Sequence, residues 1–390
     1  MQVLIKNGDV FAPQSLGKKD VLCAGGKIIA IQDNIDAASL VGEYQVIDAT
    51  GKNVVPGFVD THQHFIGGGG EGGFATRTPE LKLTDQTLNG VTTALGLLGT
   101  DDLSRHVESL LAKAIGFRDE GISTYIITGS YFLPSPTITD SVMKDIAFIE
   151  PVIGVKLAVS DHRGPYVTNE NLAHLVSQVR NSALVSGKAG IITVHAGAGK
   201  KGLSQLLEVL DDSDYQAERF VPTHINREDV WGQAVELAKR GATIDGTAVS
   251  EEALQSGRKQ LSCAEATKLS IELGIKDNFT FSSDAGGSLP KWNADRTRIV
   301  GMGVGTPSSL LEEIKRGVNQ FELSLSDILA PVTKNAAKQL GLETFKGQVA
   351  VGFDADIVLL GSQDLDLTHT IAKGRVMVAD GEAIVKGTFE

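Results

Sequence analysis

His62 and His64 stand two residues apart at the end of an apolar run, Pro56-Gly57-Phe58-Val59-Asp60-Thr61-His62-Gln63-His64. Residues spaced i, i+2 on a strand project to the same side. Two imidazoles so placed can share a metal ion, and imidazole suits Zn, Fe, Ni or Co. Alone, the pair reads equally well as an exposed corner between a strand and a loop. Four more polar residues fall in or at the end of similar runs. Lys156 lies inside Val152-Ile153-Gly154-Val155-Lys156-Leu157-Ala158-Val159, His195 closes Ile191–His195, His224 closes Val221–His224, and Asp284 closes Thr280–Asp284. Singly, either histidine passes for a satisfied core residue, Asp284 for a helix N-cap and Lys156 for a snorkelling side chain. Six such residues at strand ends do not read as separate accidents.

Lys156 is the odd member, because an ammonium repels metal. Burial and nearby cations can lower its pKa and leave a neutral, reactive amine. Addition of carbon dioxide then gives a carbamate, a carboxylate in chemical terms, with one oxygen for each of two metals ~3.5–4 Å apart. His106 and His174 fall in predicted helices, and His369 lies near the C-terminal strands. These three are not read as ligands, and neither is His162, which follows Asp161 at a strand end and has at most an ordering role.

The elements that must position these groups alternate strand, loop and helix. Candidate strands are Val54–Asp60, Val91–Leu98, Ser123–Thr128, Ile153–Ser160, Gly190–His195, Phe220–Ile225, Ala242–Asp245 and Phe279–Ser283. Amphipathic stretches such as Leu103–Glu120, Asn169–Ser186, Glu228–Arg240 and Ala264–Leu273 intervene, and Pro307–Val318 and Leu325–Leu340 follow. Eight strands in this rhythm predict an α/β fold, a (β/α)8 TIM-like barrel, whose sites lie at the C-terminal strand ends. An open doubly wound sheet lacks support, since no GxGxxG follows an early strand. Both termini alternate as short strands, with a Gly25-Gly26 hairpin turn between Asp20–Ala24 and Lys27–Ile31. Neither terminus is able to bury a sheet alone. The expected organisation is a barrel over 55–344 and a small β-sandwich domain formed jointly by 1–54 and 345–390.

Composition narrows the function classes. The 390 residues suit a barrel of ~250 residues plus a satellite domain. A net charge of −12 argues against nucleic acid or anionic membranes as partners. No apolar run approaches the ~20 residues of a membrane span. The start, Met1 to Val10, lacks a signal-peptide pattern, and Cys23 and Cys263 form no CxxC, so a cytoplasmic, reduced setting is expected.

The strand-1 His-x-His, the strand-4 lysine, the histidines of strands 5 and 6 and the strand-8 aspartate together resemble the amidohydrolase superfamily. The likeness is closest to its isoaspartyl dipeptidase family. It extends to Pro56–Glu71 with its Gly67–Gly70 run, Leu97–Asp101, Gly154–Lys156, Ser160–Arg163, Pro222–Arg227, Ser282–Asp284 and Val385–Glu390. It covers essentially the whole chain; Gly164-Pro165-Tyr166 departs from it. The resemblance implies metal ligation by His62, His64, Lys156 (carboxylated), His195, His224 and Asp284. It implies two divalent ions, expected to be zinc although these ligand types also accept Co, Mn or Ni. It implies homo-oligomers, commonly octamers. The implied reaction is hydrolysis of the isopeptide bond in β-aspartyl dipeptides by a metal-bridging hydroxide, with Asp284 as general acid and base and Tyr131 polarising the carbonyl. Glu71, Gly69, Thr100, Tyr131, Arg163, Arg227 and Ser288 would hold the dipeptide.

The pocket residues can also be weighed by charge. No Gly-Lys-Ser/Thr follows the glycine run, so it is not a phosphate loop. It ends in Glu71, close enough to the histidines to fold back over them. Arg163 and Arg227 follow strands 4 and 6 on the same predicted face. One carboxylate and two guanidiniums match a substrate with one ammonium and two carboxylates. A β-aspartyl dipeptide has that set, whereas a dihydropyrimidine is neutral and dihydroorotate carries one carboxylate. The competing readings are a cyclic-amide hydrolase of dihydropyrimidinase or dihydroorotase type and an inactive scaffold. The filled ligand positions argue against the scaffold.

Overall fold

The computed structural model describes residues 2–249, 251–254, 260–293 and 299–390. Eight strands make a parallel sheet in chain order: β1 Phe58–Gln63, β2 Val91–Gly96, β3 Ser123–Gly129, β4 Val152–Val159, β5 Ile191–Ala196, β6 Phe220–Thr223, β7 Ile244–Thr247 and β8 Phe279–Ser282. The His64 N–H donates to Ala285 O at 2.7 Å, and a bridge between Gln63 and Ala285 brings the first and last strands together. The result is a nearly closed TIM-like barrel. Every residue of these strands is buried except the partly buried Tyr125. That fits parallel strands covered on both faces, which read as unbroken apolar runs rather than as alternation. Helices such as Val107–Glu120, Asn169–Ser186 and Glu228–Lys239 pack outside, with Leu110, Phe117, Leu175, Val179 and Leu237 in a shared core.

Both termini build a second, mixed sheet of nine strands. Lys52–Pro56 pairs antiparallel with Ile357–Gly361 and parallel with Gln2–Phe11, which joins the two ends of the chain. Val3, Ile5, Val21, Cys23, Ile28, Val54, Ile357, Leu359 and Ile371 form its own apolar core. Both ends contribute to this one core. Cys23 and Cys263 are both free and buried. No helix among the described residues is long and apolar enough to cross a membrane.

Two elements differ from expectation. The single strand expected over Val54–Asp60 is two strands in two different sheets. Pro56 has no N–H to donate, and the Gly57 N–H turns to Asp356 O. A Cβ on Gly57 would lie 2.3 Å from Thr92 Oγ1, so only glycine passes between the sheets. The helix expected over Leu325–Leu340 breaks into Leu325–Leu329, a 3-10 turn Ala330–Val332 and Lys334–Gln339. Pro331, without an N–H, interrupts the ladder.

Candidate active site

The C-terminal ends of the strands carry the polar residues. His62 lies in β1 and His64 just beyond it, Lys156 in β4, His195 in β5, His224 directly after β6 and Asp284 two residues after β8. His224 and Asp284 have left-handed backbones, with φ of 63° and 51°, as does Ser160 after β4 at 53°. Non-glycine residues rarely adopt this region, and it clusters at sites the surrounding fold must hold. Each of these residues is where the chain leaves the barrel wall.

His62 Nε2 is 3.5 Å and His64 Nε2 3.2 Å from Asp284 Oδ1. Ligand atoms of the three lie within 4.8 Å of one another, a candidate metal site. Lys156 Nζ is 3.2 Å from His62 Nε2. The His62 and His224 ring centroids are 5.1 Å apart, and those of His195 and His224 4.7 Å. Asp284 Oδ1 and the Nδ1 atoms of His62 and His64 are buried without a hydrogen-bond partner. A buried polar atom left so costs ~1–3 kcal/mol. The unpartnered Asp284 Oδ1 faces the Nε2 atoms of both histidines, and three ligating groups so gathered fit a cation.

Electrostatics keep these groups in ligating form. Burial, helped by Lys156 and neighbouring histidines, pushes His62 and His224 well below the ordinary imidazole value. Burial brings His195 to about 4, against the pull of Asp161. All three are neutral at pH 7, as a metal ligand must be. Lys156 is only 1% exposed. Burial lowers its pKa to about 7, with Asp284 and Asp245 opposing, so a sizeable fraction of the amine is uncharged. Burial also raises the Tyr131 phenol well above its ordinary value, so it stays a donor.

A carboxylate cluster sits beside this centre. Glu71 Oε1 accepts from Thr100 Oγ1 and from Arg163 Nη1, each at 3.1 Å, and Glu71 Oε2 accepts from Ser288 Oγ at 3.2 Å. The glycine loop that delivers Glu71 is tightly built. The Gly68 N–H donates to Thr78 Oγ1 at 2.6 Å, which in turn donates to Gly286 O at 2.6 Å, tying the loop to the segment after β8. Gly69 has φ of 72°, and a Cβ there would meet Thr76 O at 2.6 Å and Ser288 Cβ at 3.2 Å. Arg105, buried, donates to Ile66 O, Thr78 O and Asp101 and pins the base of the loop. Asp161 accepts from the Arg163 backbone N–H and Nε at 2.8 and 2.9 Å, from Arg163 Nη2 at 2.8 Å, and from His195 Nε2 at 3.0 Å. Burial alone would raise the Asp161 carboxyl, but the Arg163 and His195 bonds hold it far below the carboxylate range.

The amidohydrolase family model matches residues 53–377. The chain belongs to the amidohydrolase family. Its structure superposes on that of β-aspartyl dipeptidase from Fervidobacterium islandicum, in complex with β-Asp-Leu, with a TM-score of 0.89. The two are 39% identical over 98% of each chain. A D-hydantoinase superposes at 0.74 with 18% identity over 100% of this chain and 97% of that one, which shows a common fold. By sequence, the chain is 26% identical to 5-methylthioadenosine/S-adenosylhomocysteine deaminase of Thermococcus kodakarensis, over 92% of this chain and 85% of that protein. The protein is thus an amidohydrolase and a homologue of β-aspartyl dipeptidase.

Within this amidohydrolase the residues singled out by sequence fall into two groups that meet. His62, His64, Lys156 and Asp284 lie together, with His224 tilted against His62 and His195 edge-on to His224. Glu71, Thr100, Arg163 and Ser288 form the second group, with Gly69 against Ser288. Tyr131 links the two, its hydroxyl 2.7 Å from His195 Nδ1. Arg227 stands apart: its donors reach Ala196 O at 2.9 Å, Gly197 O at 2.8 Å and Asp229 at 3.2 Å. His162 points to solvent, its side chain 90% exposed. Sequence reasoning missed Asp161, Thr247 and Arg105. Asp161 had a weak signal, an acid two residues before Arg163 at a strand end. Thr247, 2.6 Å from His224 Nδ1, had none.

Proposed function

We propose that this amidohydrolase cleaves the isopeptide bond of β-aspartyl dipeptides. The observation that carries the reading is the Glu71–Thr100–Arg163–Ser288 cluster, set next to a His, Lys and Asp donor set. Glu71 can pair with the substrate ammonium, and Arg163 can release Glu71 to pair with a carboxylate. Ser288 and Thr100 add hydroxyl contacts, and Gly69 leaves space for the backbone of the ligand. Arg227 would hold the second carboxylate, giving up its bond to Asp229 as it does so. The homologue's complex with β-Asp-Leu supports the substrate class. Cyclic amides lack the ammonium that Glu71 would answer.

The residues present fit divalent cations: His62, His64 and Asp284 would hold one and His195 and His224 another, with Lys156, once carboxylated, adding its oxygens to the set. When bound, such ions, with zinc the expected identity, supply an acidified water and polarise the scissile carbonyl. The chain's own residues do the rest. Asp284 takes a proton at its carboxylate from the attacking water and passes it to the leaving amine. The Tyr131 hydroxyl, held protonated by burial, donates to the carbonyl oxygen as charge develops there. Assembly as a homo-oligomer, an octamer by resemblance, belongs to the same reading.

The test is a substrate without the amine. Wild-type protein should cleave β-Asp-Leu and discriminate strongly against N-succinyl-leucine, which keeps the amide and both carboxylates. Glu71→Gln should abolish most of that discrimination by losing kcat/KM for β-Asp-Leu alone. Equal turnover of the two compounds by wild type would remove Glu71 from substrate recognition. Asp284→Asn should reduce turnover by orders of magnitude while metal content stays largely intact. Near-normal turnover would end its role as proton carrier.

A further inference from the structure

Asp161 is given no part in the reaction proposed above, yet it touches both halves of the site. One of its oxygens, Oδ2, accepts from Arg163 Nη2 at 2.8 Å and from His195 Nε2 at 3.0 Å. The other accepts the Arg163 backbone N–H and Nε. Its side chain is 3% exposed, so no water shell competes for these bonds.

The hydrogen bonds of His195 are mutually consistent. A carboxylate is an acceptor only, so the imidazole must carry its proton on Nε2 to satisfy Asp161. Nδ1 is then a lone pair, and the Tyr131 hydroxyl, a donor, lies 2.7 Å from it. Both neighbours select one tautomer, which leaves the Nδ1 lone pair, here accepting from Tyr131, as the ring atom able to ligate a metal. Arg163 Nη2, 3.4 Å from His195 Nε2, is a second donor and cannot bond to it; the two share the Asp161 oxygen instead. A metal-ligating histidine characteristically gives its other N–H to a carboxylate, which fixes ring and tautomer.

We infer that Asp161 is a positioning residue that sets the metal-ligating tautomer of His195 and the orientation of the substrate-binding Arg163 through one shared carboxylate. The inference rests on the proposed β-aspartyl dipeptidase reading for the role of Arg163, but its metal half does not. A consequence follows for substrate binding. When the substrate carboxylate engages Arg163, the guanidinium shifts its bonding at the same oxygen that holds His195. Dipeptide binding and the His195 half of the metal centre are therefore coupled.

The experiment compares Asp161→Asn, Arg163→Gln and His174→Ala in the 390-residue chain. Metal content is read after dialysis, the visible spectrum after cobalt loading, and kcat and KM with β-Asp-Leu. Asp161→Asn should retain metal on one half at least 10-fold more weakly, change the cobalt spectrum and raise KM. Arg163→Gln should raise KM with unchanged metal content and spectrum. His174→Ala, an exposed change on the helix Asn169–Ser186, should alter none of these. Wild-type metal retention and an unchanged spectrum in Asp161→Asn would overturn the inference, whatever happens to KM. Asp161→Glu keeps a carboxylate acceptor and should recover part of the metal retention; if Asp161→Asn does not fold, Asp161→Ser takes its place, and wild-type metal retention with an unchanged spectrum in that variant overturns the inference equally. Wild-type protein that binds metal but leaves β-Asp-Leu intact would instead refute the substrate reading, and the metal and spectral comparisons would still decide the role of Asp161.

Discussion

The four histidines of the centre are held in two ways. His62 and His64 have no hydrogen bond at Nδ1. Packing orients the His64 ring, since a Cβ on Gly68 or Gly99 would come within 3.4 and 3.2 Å of it, and His62 meets Lys156 Nζ only through Nε2. His195 and His224 are held by polar partners, His195 by Tyr131 and Asp161 and His224 by Thr247. Two residues on one strand share a backbone that already aims both rings, so shape suffices. Residues on separate strand ends, one of them at positive φ, need side chains from elsewhere to fix ring and tautomer. The first pair is therefore sensitive to volume and the second to single polar atoms.

Lys156 faces both pairs, so its loss should have the largest effect. Lys156→Ala is expected to lose bound metal from both halves and activity with it. Small carboxylic acids such as acetate should restore part of each, by entering the vacated space as a carboxylate. Full metal content without additive would contradict the carbamate. Next comes the polar-held pair. Thr247→Val removes the partner of His224 Nδ1 at nearly constant volume and should weaken metal retention on one half by about 10- to 100-fold. Isothermal titration of metal-free protein reads this directly; two unperturbed sites would mean that shape holds His224 as well. Gly99→Ala addresses the packed pair, where the His64 ring must yield by a few tenths of an ångström. A drop of about threefold to tenfold in kcat/KM is expected, and no change would show that the ring has spare room.

The smallest effect tests the polar layer below the centre. Asp245 is fully buried and accepts from Thr223, Thr280 and Ser282. Burial nonetheless raises its pKa from 3.8 to about 6. The folded state then binds a proton more readily than the unfolded one. The associated stability is complete below the unfolded value and is lost as pH rises through about 6. Urea midpoints of metal-free protein should carry a decline across that window, which Asp245→Asn flattens. An equal slope in both would place the proton elsewhere.

Much of this was legible in the sequence because barrel strands announce themselves. Lys156 inside an eight-residue apolar run, and His195 and Asp284 at the ends of others, violate the local pattern in the way functional residues do. The Gly67–Glu71 loop was legible by charge. The break at Gly57 was not, because Val54 to Val59 is uniformly apolar and apolarity does not say which of two sheets a strand joins. The engagement of Arg227 with Ala196 O and Gly197 O was hidden for a different reason. Its partners are backbone carbonyls of another strand end, which no side-chain pattern marks. Thr247 was hidden likewise, since a hydroxyl that serves one imidazole looks like any strand threonine.

In the proposed reading, a metal-type centre adjoins a pocket that recognises a β-aspartyl dipeptide. The most direct test measures amine release by purified, zinc-loaded protein from β-Asp-Leu, with α-Asp-Leu, dihydrouracil and dihydroorotate in parallel. Rapid cleavage of β-Asp-Leu, with little or none of the other three, is the predicted result. Turnover of a cyclic amide with β-Asp-Leu untouched would keep the His, Lys and Asp centre and contradict the assignment of Glu71 and Arg163 to an ammonium and a carboxylate.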